Sequence, residues 1–83
     1  MKKYFVLCSE DGCSTILSCH DTYDEACTRL KQEADNYKEE AIKNRHYLRG
    51  DIKIYVDYDT MLPSAELVFP DGSVYMNIYK FNI

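Results

Sequence analysis

A thiol, an imidazole and a carboxylate stand side by side at Cys19-His20-Asp21, the residue types from which an activated nucleophile is assembled. A thiolate and its base must meet within hydrogen-bond reach, yet neighbouring side chains on an extended segment point to opposite faces. The cluster therefore reads as the polar end of a strand leading into a helix, and no catalytic residue is assigned. The remaining thiols, Cys8, Cys13 and Cys27, leave intervals of four, five and seven residues between successive cysteines. Those intervals match neither paired C-x-x-C zinc knuckles nor a thioredoxin-type redox pair.

Metal and phosphate chemistry find little else to use. His46 lies beside Arg45 and near Arg49, where a cation suits the C-terminal end of a helix dipole. Asp57-Tyr58-Asp59 opens like a calcium loop, but Leu62 and Val68 occupy the places where that loop needs Gly and Glu. Three isolated glycines make no phosphate-cradling loop. The expectation is a protein that is not an enzyme and has no metal and no cofactor.

The chain has 83 residues, which predicts a single domain over residues 1–83 with one core. Fourteen acidic against ten basic side chains give a net charge of −4, so no global field gathers nucleic-acid phosphates or anionic lipid. Direct nucleic-acid binding and membrane binding are both read as absent. Met1-Lys2-Lys3 precedes an apolar stretch of four or five residues, too short for a secretory leader, and a cytoplasmic location is expected. In a reducing compartment the four thiols are expected to be free and to behave as small hydrophobes, ahead of a disulfide or a metal site.

Residues 3–9 are apolar on both faces and rich in strand formers, which predicts a central strand covered on both sides. Asp11-Gly12 supplies a hairpin turn, and a second strand runs from 14 to 19 or 20. Thr22-Tyr23-Asp24-Glu25 fits a capping box. The helix that starts there presents Tyr23, Cys27, Leu30, Ala34, Tyr37 and Ala41 on one stripe. It should run over residues 23–45, about 34 Å, with Gly50 a natural stop if its last turns continue and with Glu25–Arg29 and Glu39–Lys43 at ion-pair spacing. Residues 51–59 alternate cleanly as a half-buried strand. Residues 65–69 and 74 to 81 or 82 are two more strands, joined by a turn at Pro70-Asp71-Gly72-Ser73. The order β-β-α-β-β-β predicts an α+β fold with one long helix packed on a mostly antiparallel five-stranded sheet, its strand order open.

If Ile52, Ile54 and Val56 face the helix, the other side of the last three strands shows Lys53, Tyr55, Asp57, Glu66 and Val68, with some of Tyr75, Asn77, Tyr79 and Phe81. Tyrosine supplies rigid contact area with a polar tip, and residues 51–83 hold five acidic and two basic side chains. The candidate partner-binding residues are Tyr55, Asp57, Asp59, Glu66, Tyr75 and Tyr79. The function expected is a small protein-binding module that covers a site on another macromolecule, of the kind phages and mobile elements encode as inhibitors. Its partner would be another protein, one that itself handles nucleic acid, with carboxylates taking places meant for phosphates. The alternative is a small-ligand or nucleotide binder with a pocket between helix and sheet; a homodimer through the same face is a third use.

Overall fold

The computed structural model describes residues 2–10, 12–57 and 63–82. Five strands form one antiparallel sheet: β1 (Lys2–Glu10), β2 (Cys13–His20), β3 (Lys53–Asp57), β4 (Ser64–Phe69) and β5 (Gly72–Asn82). Their order is β2-β1-β5-β4-β3. The helix α1 (Tyr23–Arg45) connects β2 to β3 and lies across one face, the α+β arrangement expected. Gly12, at φ 80°, takes the left-handed conformation that the β1–β2 turn requires.

Local rules explain why each element begins where it does. The Glu25 amide donates to Thr22 Oγ1 at 3.3 Å, which satisfies one of the orphan donors of the first turn. Asp24 and Glu25 stand in that turn and Lys43 and Arg45 in the last, each matched to the helix dipole. The ion pairs differ from those read off the spacing: Arg29 meets Glu33 at 2.6 Å, and Glu39 meets Arg49 beyond the helix end at 2.5 Å.

The helix ends at Arg45, as its periodicity placed it, and its last turns do not continue to Gly50. His46 takes the left-handed conformation, φ 61° and ψ 25°, and ends the helix after Arg45; Gly50 falls in a 3₁₀ turn, Arg49–Asp51, before β3. A residue with a Cβ is strained there. His46→Gly should therefore raise stability by about 0.5–1 kcal/mol, glycine's greater freedom in the unfolded chain offsetting part of the gain, read as a higher urea midpoint at unchanged slope.

The core forms between α1 and one face of the sheet. Ala26, Leu30, Ala34 and Ala41 are buried on the helix; Val6, Cys8, Ala65, Leu67, Phe69, Val74, Met76 and Ile78 are buried on the strands. Three of the four helical residues are alanine, which lets the helix backbone lie close to the strands, so the sheet supplies most of the buried bulk. Tyr23, expected on the buried stripe, sits at its margin and meets Tyr4 edge to face at 6.1 Å. Ala26 joins the stripe in its place.

Covering on both sides does not hold for β1. Val6 and Cys8 face the helix, but Phe5 and Leu7 lie on the opposite side and are only half-buried. A single helix has one sheet face to cover; among the described residues no element covers the other.

Candidate functional site

Strand register lays out this open face row by row. Tyr55 on β3 stands opposite Glu66 on β4, Glu66 opposite Tyr75 on β5, Tyr75 opposite Ser9 on β1, and Ser9 opposite Ser14 on β2. The next row runs Asp57, Ser64, Asn77, Leu7 and Ile16. Beyond it, Tyr79 faces Phe5, which faces Cys19, and Phe81 faces Lys3. Partners across antiparallel strands share a face, so these rows form one continuous surface.

The surface has two characters. On β3 and β4 it is mainly polar, with Lys53, Tyr55, Asp57, Ser64 and Glu66 beside Val68. Tyr75, at the boundary, stands opposite Glu66, whose carboxylate holds the phenol above its ordinary range. On β2, β1 and the end of β5 it is apolar. Phe5 and Phe81 meet edge to face at 5.2 Å, Tyr79 stands across from Phe5, and Ile16, Tyr79 and Phe81 are 61%, 49% and 51% exposed. Exposed rings of this size in one patch are unusual on a protein that works alone.

Tyr55, Glu66 and Tyr75 are therefore direct neighbours, as face parity implied. Asp57 sits one row on at the sheet edge, and Tyr79 lies two residues further along β5 among apolar groups. Asp59 lies outside the described residues. Phe5, Leu7 and Ile16 were missed, because they enter the surface only through the pairing of β1 with β5.

Cys19-His20-Asp21 is pulled apart by the fold. Cys19 pairs with Phe5 on the open-face side. The His20 ring sits 2.8 Å from Ser18 Oγ and 3.9 Å from Glu25 on the helix side. Asp21 is ion-paired with Lys3. The four thiols are free, and burial pushes the Cys8 thiol up, away from the thiolate form. Among the described residues, no group of three or more His, Cys, Asp or Glu is placed to hold a metal ion, and no helix is long and apolar enough to cross a membrane.

On the helix side an open groove of about 800 Å³ runs between α1 and the β1–β2 hairpin, lined by Cys8, Glu10, Cys13, Glu33 and Tyr37 among others. Two of its polar groups, Glu10 and Tyr37, bond each other, with Arg45 joining from beside the groove. Tyr37 donates to Glu10 at 2.7 Å, and Arg45 donates to the same carboxylate at 3.4 Å while lying 5.9 Å over the Tyr37 ring. Burial, the hydrogen bond to Glu10 and that carboxylate's charge push the Tyr37 phenol up to about 12. In the unfolded chain a tyrosine ionises near pH 10. The stability this proton confers is thus complete below pH 10 and is lost as the pH rises through about 12. A thermal-unfolding series at alkaline pH should show that decline, and Tyr37→Phe should flatten it.

No protein-family model matches the chain, and no curated protein is significantly similar to it in sequence.

Proposed function

We propose that the protein is a non-enzymatic binding module that covers a site on another protein with the open face of its sheet. The carrying observation is the uncovered patch of Phe5, Leu7, Ile16, Tyr79 and Phe81 beside the Tyr55–Glu66–Tyr75 row. Five strands about 4.8 Å apart give a face about 24 Å wide, a size suited to the roughly 800 Å² per partner of a standard interface. The chain exposes 5620 Å², against about 5,100 Å² for a typical monomeric protein of its mass.

Charge describes the partner further. Among the described residues the open face carries Lys3 and Lys53 against Asp57 and Glu66, close to neutral within a chain of net charge −4. Such a face suits a surface that is apolar at its centre, with polar groups at its rim to meet the tyrosine hydroxyls. In the finer version, the module is a phage or mobile-element inhibitor that occludes a nucleic-acid-handling complex, its carboxylates standing in for phosphates. That version draws on the net acidity. The open face itself is close to neutral and Glu66 stands between two tyrosines, Tyr55 and Tyr75, so aromatic area supports the module more than charge does.

The helix-side groove supports the second reading, a small-ligand binder, since its volume falls within the ordinary range of ligand sites. Its weakness is that Glu10 and Tyr37, two of its polar groups, already bond each other without a ligand.

Native mass spectrometry of the protein in a lysate of its own host, followed by hydrogen exchange on any complex isolated, tests the assignment. A stoichiometric protein complex with protection concentrated in β1 and β5 is expected. Protection confined to α1 and the β1–β2 turn, or a small-molecule adduct on a lone chain, would overturn it in favour of the groove.

A further inference from the structure

The edge strand β3 reads Lys53-Ile54-Tyr55-Val56-Asp57 and is complementary to itself when turned end for end. We infer that β3 is a pairing edge for a second copy of the chain, joining two five-stranded sheets antiparallel about a two-fold axis through Tyr55. This interface uses the edge of the sheet rather than its open face, and it stands independently of the proposed partner.

β3 closes the sheet on one side, with β4 as its neighbour and no strand beyond it among the described residues. A terminal strand presents unpaired backbone donors and acceptors along its outer edge, which can template a further strand. Two-fold antiparallel pairing centred on Tyr55 sets Lys53 against the partner's Asp57 and Asp57 against the partner's Lys53. Opposite charges therefore meet at both ends of the seam. Ile54 then faces the partner's Val56, and Val56 the partner's Ile54. All four lie on the helix side, where Ile54 and Val56 pack against the core but remain only half-buried; pairing would extend that core from one copy into the next. Tyr55, 55% exposed, meets its own counterpart on the open side.

The opposite edge lacks these properties. A bulge between Val6 and Leu7 breaks the register of β2 against β1, and bulges twist an edge away from further pairing. From Cys13 to Cys19, β2 holds no charged residue, so self-pairing there would bring no opposite charges together. The β3 seam also has a consequence for the open faces. The two would become one ten-stranded surface, displaying the apolar patch at either end.

Sedimentation velocity over a range of protein concentrations reads the association directly. The wild-type chain should form a dimer as concentration rises. Lys53→Asp alone, and Asp57→Lys alone, each place like charges opposite one another at both ends of the seam and should weaken the dimer by at least about tenfold. Mixed in equal amounts, one variant brings only carboxylates to the seam and the other only ammonium groups, so a one-to-one heterodimer should appear. The double variant Lys53→Asp/Asp57→Lys restores opposite charges and should dimerise as the wild type does, which keeps the test decisive if a single variant fails to fold by circular dichroism. A wild-type chain that stays monomeric throughout, or a dimer indifferent to these reversals, overturns the inference; in the monomeric case Lys53 and Asp57 would be charges that guard the edge.

Discussion

Phe69→Ala should cost about 3–5 kcal/mol, a large share of the stability available to a domain of this size. Phe69 ends β4, is 6% exposed, and stands where three parts of the chain meet. Tyr37 of α1 packs on its ring at 5.8 Å and Tyr47, just past the helix, at 5.3 Å. Tyr47 donates in turn to Asp71 in the β4–β5 turn at 2.5 Å. Removing the ring leaves a cavity and deprives both tyrosines of their packing partner. It also loosens the aromatic contact that ties the helix to the β4–β5 hairpin. The measurement is the urea midpoint and slope, with Phe81→Ala on the open face as the control, expected to cost less than about 1 kcal/mol because that ring already meets water. Equal losses in the two variants would show that the open face is as much a core as the helix side.

That asymmetry between faces was only partly visible in the amino-acid sequence. Parity along β3, β4 and β5 placed Tyr55, Glu66 and Tyr75 together, because a strand's alternation is a local property. Which strand lies beside which is not local, and so the contribution of β1 and β2 to the surface stayed hidden. A signal was nevertheless present. Residues 3–9 are apolar on both faces in a chain with one helix, and one helix covers one sheet face. Taking the second face of β1 as buried required a second layer, and the described residues supply none; Phe5 and Leu7 had to be counted with the open surface. The helix end itself was legible, because the apolar stripe runs out at Ala41 and Ile42 and the expected span, 23–45, is the one observed. The residue that makes the stop was not: Gly50 has the type that favours a left-handed position, yet His46 takes it despite its Cβ.

The sharpest separation of function from folding is expected from Tyr75→Ala combined with Tyr79→Ala. Both side chains are about half exposed, at 48% and 49%, so truncation removes cross-strand contacts rather than core. The folding cost should be about 1 kcal/mol for the pair. Binding should respond differently, because tyrosines near the centre of an interface often carry 2 kcal/mol or more each, and the affinity of the isolated complex should fall by roughly a hundredfold or more. The two positions should not contribute equally. Tyr79 lies beside Phe5, with Phe81 two residues further along β5, in the part of the face where a partner can exclude water completely. Tyr75 stands opposite the Glu66 carboxylate and borders the polar half. Titration calorimetry on the single and double variants, set against their urea midpoints, therefore has a graded expectation: the larger loss of affinity at Tyr79, the smaller at Tyr75, and little change in folding at either. Undiminished affinity in the double variant would remove the open face from the function, and loss of affinity in Tyr37→Phe instead would transfer it to the groove beneath the helix.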